Sequence, residues 1–257
     1  MWLLQHHPEV PSPKLYDYVV QTGELWDTPY FVMSEIPGQT LMEVASSMTS
    51  AELEQVGLDL RCCLAALRTI PNPHPFAVCN ASGGPMTAPY FTRHYPEEPF
   101  KTVDDFYAWI RKNMTGDRDW PIVETWLAAA IAKSEDPPVF SHGDVADHNI
   151  MVDKGRLSGL VDWAEAGWFP AYWEYATAMN RIDEQTEQFK TVINIALPDH
   201  YEDERQGLIH AYRFQNFDLP DPWRWAKNAD QDRKSGSAPG VTESNKVTAA
   251  ETQDSGP

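Results

Sequence analysis

The chain has 257 residues, room at ~100–200 per domain for one large domain or two small ones, and its 42% hydrophobic and 12% aromatic content excludes disorder throughout. Thirty-eight Asp and Glu against twenty Lys and Arg give a net charge of −18, which excludes nucleic acid and an anionic membrane as partners and leaves a cationic small molecule open. Cys62, Cys63 and Cys79 form no C-x-x-C spacing, and neither a basic-apolar leader nor a membrane-length apolar run is present, so a cytoplasmic, reducing location is expected, without disulfides or a membrane span.

In chain order, Leu15 to Val20 and Tyr30 to Ile36 are β-branched and aromatic runs joined by a polar loop with Gly23, predicting a hairpin. From Ala51 to Ile70 the residues Leu53, Val56, Leu60, Cys63, Leu64 and Leu67 recur at helical spacing behind a Thr49–Glu52 capping box and ahead of Pro71. Residues 71–101, with Gly83-Gly84-Pro85, read as an irregular connection. Helices are predicted again over Thr102–Asn113 and Pro121–Lys133. Three short strands follow at Val139–Ser141, Ile150–Val152 and Leu157–Val161, the last two joined by the turn Asp153-Lys154-Gly155. Helices are expected at Pro170–Asn180, Glu184–Ala196 and Glu202–Phe214, then an aromatic patch to Trp225. Residues 227–257 hold few large apolar side chains and nearly balanced charge, so they read as a disordered tail and the acidity belongs to the folded part.

The segment from His142 to Asn149 has the form H-x-D-x-x-x-x-N, and Asp162 follows at the end of a predicted strand. Phosphoryl transfer needs few groups: a carboxylate for the incoming hydroxyl and oxygen ligands for Mg²⁺ on the phosphates. Asp144 fits the first role, Asn149 and Asp162 the second. Such residues also serve as turn formers, and the eight-residue pattern alone does not decide between the readings.

The flanks add Ile150-Met151-Val152-Asp153, Gly159-Leu160-Val161-Asp162-Trp163, Glu165-Ala166-Gly167-Trp168, Pro170 and Trp173-Glu174-Tyr175. Together these residues resemble the aminoglycoside phosphotransferase family, the small-molecule branch of the protein-kinase-like fold, in its fungal form, over roughly residues 10–215. The resemblance implies an α+β fold: a remnant N-terminal lobe over residues 1–36, a mainly helical C-terminal lobe over 37–226, and the tail. It implies Asp144 as catalytic base, Asn149 and Asp162 on Mg²⁺, and backbone groups of Ser34, Glu35 and Ile36 against the adenine of ATP. Gly143 in place of the Arg of H-R-D, and Asp162-Trp163-Ala164 in place of D-F-G, point to a small-molecule hydroxyl as acceptor and away from control by loop phosphorylation.

A kinase-like N-terminal lobe needs ~60 residues or more before its hinge, whereas 33 precede Ser34 here, and no G-x-G-x-x-G occurs anywhere. Two expectations follow: an N-terminally truncated phosphotransferase impaired by loss of its phosphate-covering loop and strand lysine, or a pseudokinase that binds a ligand or partner without transfer. A third reading makes His142, Asp144 and His148 a metal-hydrolase cluster, set against His142 as a loop-bracing residue. Glu165, Glu174, Asp183, Glu184 and Glu187 suit either a cationic acceptor cleft or a solvated face. Trp168, Trp173 and Tyr175 suit either an aromatic cage or the core, and the apolar helix around Trp173 assigns that residue to the core.

Overall fold

The structure, a computed structural model, describes residues 3–21, 28–87, 95–114, 119–180 and 186–216. The expected tail, the aromatic patch up to Trp225, the hairpin loop at Gly23, and Asp183 and Glu184 lie outside the described residues.

Leu15–Gln21 (β1) and Thr28–Met33 (β2) pair antiparallel, as alternating β-branched and aromatic residues favour. The second strand stops short of the expected Ile36. At Lys14 the backbone N–H turns from the ladder to the Ser34 hydroxyl (2.8 Å), and the preceding Pro13 has no N–H to extend the pairing. Gln39–Thr40 (β3) then leads into the short helix Leu41–Val44 (α1), closed by a Thr40–Glu43 capping box.

Ser50–Leu67 (α2) forms as its spacing dictates, with Thr49 and Glu52 exchanging both capping hydrogen bonds. Its apolar stripe, from Leu53 through Leu60 to Leu67, is buried, chiefly against the Thr186-capped helix Glu187–Ala196, designated α6 below. Cys79–Asn80 (β4) interrupts the expected irregular stretch. Val103–Met114 (α3) and Trp120–Ile131 (α4) match the two predicted helices to within two residues at each end.

Val139–Ser141 (β5), Ile150–Asp153 (β6) and Arg156–Leu160 (β7) fall where the sequence puts them. In the β6–β7 turn Lys154 has φ 51° and Gly155 φ 73°, the left-handed pair that lets a two-residue loop match strand twist. Gly167–Phe169 (β8) lies where the sequence reading placed no strand. Strand order is β3-β6-β7 in one sheet and β4-β8-β5 in another, all antiparallel.

Trp173–Asn180 (α5) is buried over its first six residues, as a central helix must be. Glu187–Ala196 (α6) and Glu202–Asn216 (α7) complete the order, α7 packing on α4. Two apolar clusters result, one around α2, α6 and the strands, the other joining α3, α4, α5 and α7. Both border β8 and α5, which fixes the β5–β6 loop between them.

Candidate functional site

The β5 strand delivers His142 to a fully buried position. The His142 Nδ1 accepts the Asp144 N–H (3.3 Å), so Nε2 carries the proton and donates to the Val161 carbonyl (3.0 Å). Burial pushes this imidazole down to about 4, against the smaller pull of Asp144 and Asp162. His142 is therefore a neutral brace tying the loop to the segment after β7. With both nitrogens engaged it has no lone pair for a metal, which overturns the hydrolase reading.

Gly143 has φ +83°, and a Cβ there would lie 2.5 Å from the Glu165 carbonyl oxygen. Only glycine gives this turn both its left-handed backbone and its close approach. The next residue, Asp144, is thereby brought to a partly exposed position.

Asn149 sits at the other end of the loop, buried, with its N–H on the Ala146 carbonyl. Its Nδ2 donates to both the carbonyl (3.0 Å) and the carboxylate Oδ2 (3.1 Å) of Asp144. The amide thus orients the candidate base and keeps Oδ1 as an acceptor. Val161 N–H donates to the Asn149 carbonyl (3.0 Å), which draws Asp162 alongside. Asp162 is exposed and has φ +60°, a conformation uncommon outside glycine that marks a positioned residue. Its Oδ1 takes the Ala164 N–H at 3.4 Å.

An amide oxygen and a carboxylate, beside Asp144, form the hard-oxygen donor set that Mg²⁺ takes when phosphates and waters fill its remaining positions. Among the described residues no group of three or more His, Cys, Asp or Glu is placed to hold a metal by itself. The residues present therefore fit a metal shared with phosphates better than a closed protein cage.

Sequence reasoning missed the main support of this loop. Glu174, on α5, accepts the N–H of His142 (2.6 Å) and of Gly143 (3.1 Å) while itself buried. Burial pushes its carboxyl up to about 7, the two N–H donors and Arg68 pulling the other way. The expectation of a solvated or cleft-lining Glu174 is thus corrected. Its signal was present: one acid inside the otherwise uncharged run Trp173–Ala178. The aromatic cage is also overturned, because Trp168, Trp173 and Tyr175 are core residues. Glu165 is half-buried; burial raises its carboxyl, the Thr87 hydrogen bond lowers it, and the charges of Asp144 and Asp162 raise it further.

At the candidate hinge, Ser34 N–H donates to the Lys14 carbonyl (2.8 Å) and its hydroxyl accepts from Lys14. Ser34 therefore braces the hairpin, its N–H and hydroxyl both engaged with Lys14. Ile36 lies over β7, where a Cβ on Gly159 would stand 3.0 Å from its Cγ2. The Ser158 hydroxyl donates to the Pro37 carbonyl (2.6 Å), tying the hinge to the strand that ends beside Asp162.

The fold is that of kinase-like small-molecule phosphotransferases. Aminoglycoside phosphotransferase APH(4)-Ia superposes with a TM-score of 0.55 at 16% identity, covering 91% of this chain and 77% of that one. A thermostable mutant of it, in ternary complex with AMP-PNP and hygromycin B, gives a TM-score of 0.54 at 17% identity with the same coverage. A profile of the phosphotransferase enzyme family matches residues 1–223; the chain belongs to that family. Among curated proteins, an aminoglycoside 3'-phosphotransferase of Escherichia coli is 25% identical over 183 residues, 71% of this chain and 61% of that protein. One from Enterococcus faecalis is 38% identical over 52 residues, 20% of each chain. The chain thus spans about three fifths of the length of the Escherichia coli relative.

Proposed function

We propose that this chain carries the site of an ATP-dependent phosphotransferase acting on a hydroxyl of a small, cationic acceptor. The observation that carries this reading is the Asn149 amide, held by both oxygens of Asp144 that it reaches and set beside Asp162. One residue thereby couples the base to the metal position.

In this reading Asp144 accepts the proton of the acceptor hydroxyl as it attacks the γ-phosphorus, and Asn149 and Asp162 hold Mg²⁺ on the phosphates. Bound there, Mg²⁺ would neutralise charge on the phosphate oxygens. Glu174 and His142 keep the loop at one geometry, so little reorganisation is needed as charge moves. Glu35 and Ile36 offer the hinge backbone to the purine. Relatives whose names specify aminoglycosides, and a neighbour holding hygromycin B and AMP-PNP, support an aminated acceptor and an adenine nucleotide. The net charge of −18 favours such an acceptor.

A second reading is nucleotide binding without transfer. The two part on turnover. Labelled γ-phosphate from Mg·ATP is followed onto hygromycin B and kanamycin-type acceptors. Slow transfer that Asp144→Ala abolishes supports the phosphotransferase; no transfer with intact nucleotide binding supports the binding module; transfer unchanged by Asp144→Ala overturns the assigned base.

A further inference from the structure

Glu174 takes two N–H groups of the catalytic loop from inside the core, one on each carboxyl oxygen. Only an ionised carboxylate offers both oxygens purely as acceptors. A buried negative charge in turn calls for a positive partner. His142 beside it is neutral, and Asp144 adds a charge of the same sign. Burial pushes the Cys63 thiol on α2 up to about 12, the Glu174 charge adding to it, so that group is neutral as well.

The cation comes from the end of α2. Arg68 is the C-cap of that helix, its backbone N–H held by the Leu64 carbonyl (3.2 Å). Its Nη2 donates to the Ala171 carbonyl (3.2 Å), 103 residues along the chain. The chain is already coiling there, with the Trp173 N–H on the Pro170 carbonyl (2.8 Å) and the Ala176 N–H on that of Tyr172 (2.9 Å). The carbonyl that Arg68 grips therefore stands one helical turn before Glu174. Burial opposes the charged Glu174 carboxyl, the two loop N–H groups favour it, and the Arg68 guanidinium adds to them. A second bond, from Trp168 Nε1 to the Ile70 carbonyl (3.4 Å), fastens the residues after α2 to β8. Arg68 also borders a cavity of about 240 Å³ beside Leu64 and Leu197, so the guanidinium is half-buried and keeps part of its hydration.

We infer that Arg68 is a positioning residue for phosphoryl transfer: it is the charge partner of Glu174 and the clamp on the start of α5, and through Glu174 it sets the turn that carries Asp144. Its effect on turnover rests on the phosphotransferase reading; its effect on the loop does not. A cation at the end of α2 also stabilises that helix directly, and this contribution is independent of pH over the range in which Glu174 titrates.

Amide hydrogen exchange at His142 and Gly143 in the full chain, between pH 6 and pH 9, separates the two roles. Loop protection falls in wild type as pH climbs to about 7, where Glu174 ionises, and then levels off. In Arg68→Gln the unpaired carboxyl ionises later, so protection continues to fall. The deficit of Arg68→Gln against wild type is expected to grow about fivefold or more from pH 6 to pH 9. In a Glu174→Gln background the same substitution gives a deficit that does not change with pH, and Arg68→Lys, which keeps the charge, gives none that grows. At pH 8 Arg68→Gln is expected to lower kcat for γ-phosphoryl transfer about tenfold, with KM for Mg·ATP within about twofold.

A deficit of Arg68→Gln that is constant with pH overturns the inference, leaving a helix cap only, and so does an Arg68→Lys deficit that grows as that of Arg68→Gln does. Should Arg68→Gln not fold at pH 8, the double variant with Glu174→Gln must fold, because the unpaired carboxylate is gone; its failure overturns the pairing. Wild-type kcat in a variant with the loosened loop overturns the positioning role. If wild type itself transfers no phosphate, the proposed function fails, and the exchange result still decides the pairing of Arg68 with Glu174.

Discussion

The carboxylate of Glu174 accepts the backbone N–H of His142 across 2.6 Å, with neither residue reaching solvent. Since Glu174 also takes the Gly143 N–H, one side chain on α5 satisfies two consecutive donors in a turn that cannot pair with a neighbouring strand. The loop bearing Asp144 is thereby tied to the core rather than left to fluctuate.

Glu174→Ala strands both N–H groups in the interior. At ~1–3 kcal/mol for each orphaned donor, the cost is about 2–6 kcal/mol. Denaturant unfolding at neutral pH measures it, and a loss below about 1 kcal/mol means water enters and replaces the carboxylate.

Glu174 also sets a pH dependence. Its carboxyl rises from 4.5 to about 7 on folding, so its contribution is complete below 4.5 and is lost as pH climbs through about 7. Wild-type stability minus that of Glu174→Gln should fall by up to ~1.4 kcal/mol per pH unit across this window and then level off. His142 acts in the opposite sense: its imidazole drops from 6.5 to about 4, so its contribution is complete above 6.5 and is lost as pH falls through about 4. The two slopes offset each other between about 4.5 and 6.5, which is why the difference from Glu174→Gln, rather than the wild-type curve alone, isolates the carboxyl. A difference that grows with pH contradicts the assignment.

Gly143→Ala meets both a left-handed φ and a backbone oxygen 2.5 Å from the new Cβ. The loop must move, at a cost of about 1–3 kcal/mol in stability. Displacing Asp144 by an ångström lowers turnover by ~10²-fold. Stopped-time transfer assays beside thermal melts check both, and a variant with wild-type turnover removes the turn from the account.

Much of this architecture was legible before any coordinates. The α2 stripe and its Thr49–Glu52 box are local signals, and the structure carries them without change. The closeness of Asp144 and Asn149 was legible because one loop holds both, and a fixed spacing within a loop survives translation into sequence. Glu174 was not, since its partners lie 31 and 32 residues away and nothing local announces which buried backbone a carboxylate will cap. The aromatic residues were legible in part: Trp173 is in the core as its apolar helix implies, while the choice between cage and core for Trp168 and Tyr175 needed tertiary packing. Trp168 packs edge-on against Phe140, and Trp173 packs against Phe106 and Phe169. The left-handed backbone of Asp162 is likewise a tertiary consequence, imposed where β7 ends and the Val161–Asn149 hydrogen bond holds the chain.

The central claim is that Asp144, Asn149 and Asp162 form one nucleotide-metal site in which Asp144 acts on the acceptor rather than on the nucleotide. ATP binding to wild type, Asp162→Ala and Asp144→Ala, titrated calorimetrically with and without Mg²⁺, tests it most directly. The account predicts Mg²⁺-dependent binding in wild type, loss of that dependence in Asp162→Ala, and binding within about threefold of wild type in Asp144→Ala. ATP binding that ignores Mg²⁺, or that survives Asp162→Ala unchanged, would contradict it.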